Sequence, residues 1–294
     1  APSRGPNYKI PFTAKIGDGV PVTPEGSDVT LAPKWETTFS PGTDDAYPAI
    51  GEFTVEDGFV KGTFLTETGD YRFLHGKFED RRLLLKTFDG SHLFVFDAKL
   101  TEEGKLEGIF YSGNHWEESW VATPNPEVEL RAPDELTVLK ECYERFEFAF
   151  PDVNGDVVSF PSEKYEGKPV VIQILGSWCP NCMDETRLFT QWHNTYHEQG
   201  LEIIGWAFDR SESTAGIERM KESMSIPYEI LMASSTTSKK TAGEKLPMLN
   251  HVLSYPTSIW IGKDGSIRKI HTGFNGPGTG EPYQEFVPEY QGLI

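Results

Sequence analysis

Two regimes of hydrophobic patterning divide the chain. Up to about residue 135, short apolar and aromatic runs recur: Gly51-Glu52-Phe53-Thr54-Val55, Phe59-Val60-Lys61-Gly62-Thr63-Phe64-Leu65, Tyr71-Arg72-Phe73-Leu74, and then residues 83–88, 92–96 and 106–111. Between them lie Asp57-Gly58, Gly69-Asp70, Glu79-Asp80, Asp89-Gly90 and Glu103-Gly104. Such pairs are hairpin signals, because Gly and Asp tolerate the backbone angles of tight turns. Short strands at this spacing, with no helical window among them, predict a meandering antiparallel sheet, a sandwich or an open barrel. Residues 1–135 therefore read as an all-β antiparallel domain. No catalytic constellation is visible in it, and His75, His92 and His115 read as structural histidines.

Pro-rich punctuation follows, in Thr123-Pro124-Asn125-Pro126 and Ala132-Pro133-Asp134, and the pattern changes. Residues 146–150 and 157–160 read as a hairpin around the turn 151–156. Residues 169–175 are apolar and β-branched, which predicts a buried strand. From Met183 to Gln199 there is no Gly or Pro, and apolar residues fall at Met183, Leu188, Phe189, Trp192 and Tyr196. This predicts a helix over about 180–199, stopped by Gly200. A strand over 201–208, a helix over 212–225, a strand over 228–232 and a helix over 239–246 come next. Strands at 258–261 and 267–271 flank the turn Lys263-Asp264-Gly265. Strands alternating with helices predict an α/β domain over 136–294, with a mixed central sheet and helices on both faces.

Composition supports two folded domains: 294 residues are 37% hydrophobic and 13% aromatic. A net charge of −18, spread over both halves, repels phosphate backbones and excludes nucleic acid as a natural partner. No apolar run approaches the ~18 residues that a membrane helix needs, so no transmembrane segment is expected. Residues 1–6 carry no apolar h-region, which fits either a cytosolic chain or one whose export signal or lipid anchor is gone. Three cysteines are too few, and odd in number, for a disulfide framework. Cys142 reads as a small buried hydrophobe.

The remaining two cysteines stand in Trp178-Cys179-Pro180-Asn181-Cys182, between the strand and the helix. This spacing serves a small-loop disulfide, half of a zinc site or a dithiol–disulfide couple. Zinc needs four ligands, and Cys142 alone does not complete the set. His193 and His197 have a chelating i, i+4 spacing but no third ligand. A helix N-terminus favours a thiolate, through its free N–H groups and partial positive charge. Redox chemistry is therefore expected, with Cys179 the exposed nucleophile and Cys182 the resolving thiol one turn inside. Glu185 lies one further turn along, where a partly buried carboxylate can exchange protons with the thiols. The plainer alternative is a solvated first-turn glutamate. The glycines at 273, 276, 278 and 280 follow no phosphate-binding pattern and read as a loop.

The segment Val170 to Glu185 resembles the active-site region of the thioredoxin superfamily, and more narrowly the TlpA/ResA-like protein disulfide reductases. Tyr255-Pro256-Thr257-Ser258-Ile259-Trp260-Ile261-Gly262-Lys263-Asp264-Gly265 is similar to that family's cis-proline loop and hairpin, and Ile270-His271-Thr272-Gly273-Phe274 continues the likeness. The resemblance covers about residues 145–294; the N-terminal β module resembles those of Bacteroidetes members. It implies a thiol–disulfide oxidoreductase of the bacterial periplasm or cell envelope, with no bound cofactor or metal. Client protein disulfides would be its substrates and a membrane thiol donor of the DsbD/CcdA kind its electron source. It also implies catalytic roles for Cys179, Cys182 and Glu185, and client contact by Trp178, Pro180, Asn181, Tyr255 and Pro256. Gln173 departs from thioredoxin itself, where a buried Asp stands at that position, so proton transfer is left to Glu185 or water. A competing expectation is an envelope binding protein whose β module recognises a ligand, with the thioredoxin domain as scaffold.

Overall fold

The computed structural model describes residues 30–56, 58–89, 92–141, 143, 146–210 and 214–294. Asp57, Gly90, Cys142 and the first six residues, which figure in the sequence reading, lie outside the described residues. The chain forms two compact units: one runs to Phe64 and from Tyr71 to Glu129, the other comprises Leu65–Asp70 and Leu130–Ile294. The sequence reading placed one junction at 135/136 and assigned residues 65–70 to the N-terminal half.

The first unit is built on β1 (Lys34–Phe39), β2 (Tyr47–Glu56), β3 (Phe59–Thr66), β4 (Gly69–Asp70), β5 (Leu74–Glu79), β6 (Arg82–Phe88), β7 (Leu93–Leu100), β8 (Leu106–Ser112) and β9 (Trp116–Pro124). Two-residue β4 pairs only with the end of β3, through Leu65 and Thr66. The other eight strands close a ring in the order β2-β1-β9-β8-β7-β6-β5-β3, with β3 pairing back onto β2. Antiparallel β1–β9 pairing joins the first strand of the meander to the last. The sequence left sandwich and open barrel standing; closure depends on pairing between distant strands, which local patterning does not encode. Within the ring, side chains alternate as a pleat requires. On β6, Leu83 and Leu85 are fully buried while Leu84 between them is exposed. The core is aromatic: the Phe39 ring lies within 5.0–6.3 Å of Tyr47, Phe64, Tyr71, Phe96, Phe110 and Trp120. His92 is held by Asp89 at 3.1 Å and His75 stacks on Phe59, both structural placements.

The second unit contains α1 (Pro133–Leu136), β10 (Phe148–Pro151), β11 (Val157–Phe160), β12 (Val170–Leu175), α2 (Pro180–Tyr196), β13 (Glu202–Phe208), α3 (Ala215–Met224), β14 (Glu229–Ser234), α4 (Lys239–Lys245), β15 (Thr257–Ile261), β16 (Ile267–Thr272) and α5 (Glu281–Gln291). Its main sheet has the order β14-β13-β12-β15-β16. Strands β12, β13 and β14 run parallel, β15 pairs antiparallel to β12, and β16 pairs antiparallel to β15. Every residue of the central strand β12 is buried, the polar Gln173 among its apolar neighbours included. After α2, a 3-10 turn over His197–Gln199 ends at Gly200, whose φ of 108° only glycine adopts readily. Helix α5 has no counterpart in the sequence reading, because Pro282, Pro288 and the preceding glycines hide a helical pattern. Its buried face is aromatic: Phe286 and Tyr290 pack on Trp192, Trp260 and Phe274. Among the described residues, no helix is long and apolar enough to cross a membrane.

Candidate active site

Strand β12 delivers the chain to Cys179, and the geometry there follows from residue chemistry. Cys179 is the N-cap of α2, with extended backbone angles of −100° and 114°. Pro180 fills the first helical position, where its missing N–H costs nothing. The Cys182 N–H lies 3.2 Å from Cys179 Sγ, so the sulfur occupies the place of a capping oxygen. The two sulfurs are bonded, with the Cα atoms 5.2 Å apart. Opposite them, the Tyr255–Pro256 peptide is cis. Tyr255 O lies 3.3 Å from Cys179 Sγ, an acceptor for the thiol proton in the dithiol form. Trp178 meets the Tyr255 ring edge-on at 5.5 Å and donates from Nε1 to Phe208 O at 3.1 Å. The Arg210 guanidinium sits 5.1 Å over the same indole.

One expectation needs correction. Cys179 was read as exposed, yet in the disulfide it is 4% exposed, against 0% for Cys182. The order of accessibility is as expected, but the proline loop lies against the sulfur and leaves it a narrow face.

Glu185 was expected to be partly buried; it is 0% exposed. Its Oε2 accepts from Gln173 Nε2 at 2.8 Å, while Oε1 has no hydrogen-bond partner. Gln173 is itself fixed: Nε2 also donates to Cys182 O at 3.3 Å, and Oε1 accepts from Thr186 Oγ1 at 3.0 Å. Burial pushes the Glu185 carboxyl up to about 8, against the opposing pull of the Gln173 and Ser258 side chains. The carboxyl therefore holds its proton near neutrality, and the unpartnered oxygen is where a neutral acid keeps it. Gln173, met in the sequence as a departure from thioredoxin, is the residue that ties this acid to the cysteine helix.

The structure brings Trp178, Cys179, Cys182, Tyr255 and Pro256 together, with Glu185 and Gln173 beneath. Half-buried Asn181, expected to contact clients, is engaged within the protein through its amide. Its Nδ2 donates to Asp70 O at 3.2 Å and to Phe274 O at 3.1 Å. The sequence reading missed the contribution of residues 65–70, read there only as a hairpin turn, and that of Arg210. No sequence signal points to Arg210. His193 and His197 stack with ring centroids 4.4 Å apart.

Comparison with known proteins agrees with this geometry. Residues 143–270 match the AhpC/TSA family. The thiol-disulfide oxidoreductase ResA of Halalkalibacterium halodurans is 27% identical over 126 residues, which span 43% of this chain and 65% of that protein. ResA of Bacillus thuringiensis subsp. konkukian is 26% identical over 140 residues, 48% of this chain and 72% of that one. Among solved structures, a thiol-disulfide oxidoreductase from Bacteroides fragilis is 15% identical, covering 50% of this chain and 99% of its own, with a TM-score of 0.39. A thioredoxin-family thiol:disulfide interchange protein from Chlorobium tepidum is 19% identical, covering 52% and 98%, with a TM-score of 0.39. Residues 143–270 are therefore an AhpC/TSA-type, thioredoxin-like domain with a CxxC pair, and the C-terminal half is distantly related to the ResA thiol-disulfide oxidoreductases.

Proposed function

We propose that this protein is a thiol–disulfide oxidoreductase that reduces client protein disulfides. The observation that carries the reading is the Cys179–Cys182 disulfide at the start of α2, facing the cis-proline loop with a buried, proton-holding Glu185 beneath. In the dithiol form, the helix N-terminus stabilises the Cys179 thiolate, which attacks one sulfur of the client disulfide. A Cys179–client bond forms, and the client's other sulfur leaves as a thiolate and takes a proton. Cys182 then gives up its proton and attacks the Cys179 sulfur. The client leaves as a dithiol and the Cys179–Cys182 bond is restored. The ionised fraction of Glu185, which grows as pH approaches 8, takes the Cys182 proton in this step, and the client's second thiolate takes its proton from water. When an external dithiol regenerates the pair, the proton returns to the departing Cys182. The role of Trp178 and Tyr255 is to flank the attacking sulfur and orient the client chain.

The extracytoplasmic setting and the membrane thiol donor of the DsbD/CcdA kind are part of the same proposal, supported by the ResA relationship. Reduction of insulin disulfides by the full chain tests the activity. Cys179→Ser is expected to abolish it, and an unchanged rate with that variant removes the reading. Cys182→Ser is expected to accumulate a mixed disulfide with clients from envelope extracts, seen as a species that dithiothreitol dissolves.

A further inference from the structure

The hairpin turn Leu65–Asp70 belongs to the redox unit although nearly 60 residues separate it in sequence from the rest of that unit. It is fixed there at several points. Arg131 clamps Glu67 bidentately, with Nε and Nη2 donating at 2.6 and 2.7 Å. Ser254 Oγ donates to Thr68 O at 2.8 Å. Asn181 Nδ2 donates to Asp70 O, and the Asp70 carboxylate accepts from Gly276 N. Gly69, at φ +134°, lies so close that a Cβ there would stand 2.5 Å from Asn181 Nδ2. On the facing loop, a Cβ at Gly273, φ +79°, would stand 2.8 Å from the Thr68 carbonyl carbon.

These partners are not scattered. Asn181 lies between the two cysteines, and Ser254 immediately precedes Tyr255, whose carbonyl faces Cys179. Phe274 and Gly276 line the loop after β16. One turn thus holds the helix start, the proline loop and the loop after β16, and on the helix it binds Asn181, the second intervening residue of the CxxC pair.

We propose that the Leu65–Asp70 turn is a positioning element of the disulfide centre, acting through Asn181 on the balance between thiolate and disulfide at Cys179. The inference rests on the oxidoreductase reading above. Its physical basis is the first turn of α2. Asn181 is anchored on two carbonyls, so the free N–H groups that follow Cys179, including that of Cys182, stay aimed at the sulfur. When the anchor is lost, the thiolate loses part of its stabilisation. The Cys179 pKa then rises, the dithiol form is less favoured and the pair becomes more reducing. In equilibrium with glutathione, two glutathione thiols lose two electrons and two protons to form one oxidised glutathione, and the protein disulfide gains them to become the dithiol. Releasing the turn shifts this equilibrium toward the protein disulfide.

The test uses the full chain with Gly69→Ala, Asn181→Ala and the double variant. Gly104→Ala serves as control, since Gly104 also has a positive φ, +79°, but open space around its Cβ position. Three quantities are read for each: the glutathione equilibrium by acid quench and thiol labelling, the Cys179 pKa by alkylation rate against pH, and the urea midpoint. Gly69→Ala and Asn181→Ala are expected to move the equilibrium about tenfold toward the disulfide, some 30 mV lower, with a raised Cys179 pKa. The double variant is expected to move no further than Asn181→Ala, and Gly104→Ala not at all. A folded Gly69→Ala whose equilibrium and pKa stay within about twofold of wild type overturns the inference. Should Gly69→Ala not fold, an unchanged Asn181→Ala overturns it equally. A wild-type pair that does not exchange with glutathione removes the oxidoreductase reading, and this inference with it. Normal exchange that is indifferent to both variants overturns this inference alone.

Discussion

Each unit carries a polar cluster around a glutamate, and the two clusters are completed to different degrees. In the barrel, both carboxylate oxygens of Glu118 are taken: Tyr47 Oη donates to Oε1 and Ser40 Oγ to Oε2, each at 2.8 Å. Tyr47 and Tyr71 share a further hydrogen bond of 2.9 Å. Burial, more than any neighbouring charge, drives both phenols far above their ordinary range. Those two phenols stay protonated well above the pH at which a free tyrosine ionises. In the redox unit, Glu185 has one oxygen paired and one without a partner, and burial brings its titration to about 8. The half-buried barrel cluster pairs both oxygens of its glutamate, whereas complete burial of Glu185 with one oxygen unpaired makes it the group that changes state near neutrality.

The contrast can be broken at several points. The largest effect is expected from the barrel's aromatic core. Trp120→Ala removes a fully buried ring and should cost about 3–5 kcal/mol in urea unfolding. A much smaller cost would mean that the polar cluster, not the packing, holds the barrel. Next comes Glu185→Gln. The folded state keeps a proton on Glu185 that the unfolded chain releases above its ordinary value of 4.5. The contribution of Glu185 is thus intact at low pH and is lost progressively as pH rises from 4.5 through about 8. Wild type should lose on the order of 2–4 kcal/mol relative to Glu185→Gln between about pH 5 and pH 8, at 1.36 kcal/mol per pKa unit. Parallel stability profiles for the two proteins would place the titration elsewhere. The same variant should slow client reduction and flatten its pH dependence, since the amide neither takes nor gives the Cys182 proton. The smallest effect belongs to Tyr47→Phe, about 1 kcal/mol for the lost hydroxyl bonds, with no change in the glutathione equilibrium.

Much of the redox centre was legible before the fold. The CxxC pair, the helix that follows it and the Tyr255-Pro256 loop are each written in a few adjacent residues, and local chemistry fixes what they do. The barrel strands were legible for the same reason, since short apolar runs between Gly- and Asp-containing turns are local signals. What stayed hidden depends on distant residues meeting. Nothing in the sequence of β2 or β3 says that they close a ring. Nothing near Glu185 says that β12 will cover it completely, and so its burial was underestimated. Cys179 looked open because it stands at the mouth of a helix; the loop that shields it comes 76 residues later. Helix α5 was missed for a different reason: its two prolines and the glycines before it argue against a helix, and aromatic packing overrides them.

The membership of Leu65–Asp70 in the redox unit changes how this chain can be taken apart. A cut between residues 135 and 136 leaves the second unit incomplete, because it removes both Leu65–Asp70 and Leu130–Glu135. A chimera that exchanges the N-terminal half exchanges both segments with it. Grafting Leu65–Asp70 back together with Leu130–Glu135, which carries the Arg131 that clamps Glu67, restores the second unit. The unit of inheritance is thus larger than the unit of catalysis, and swapping one half of such a chain rewrites a small part of the other.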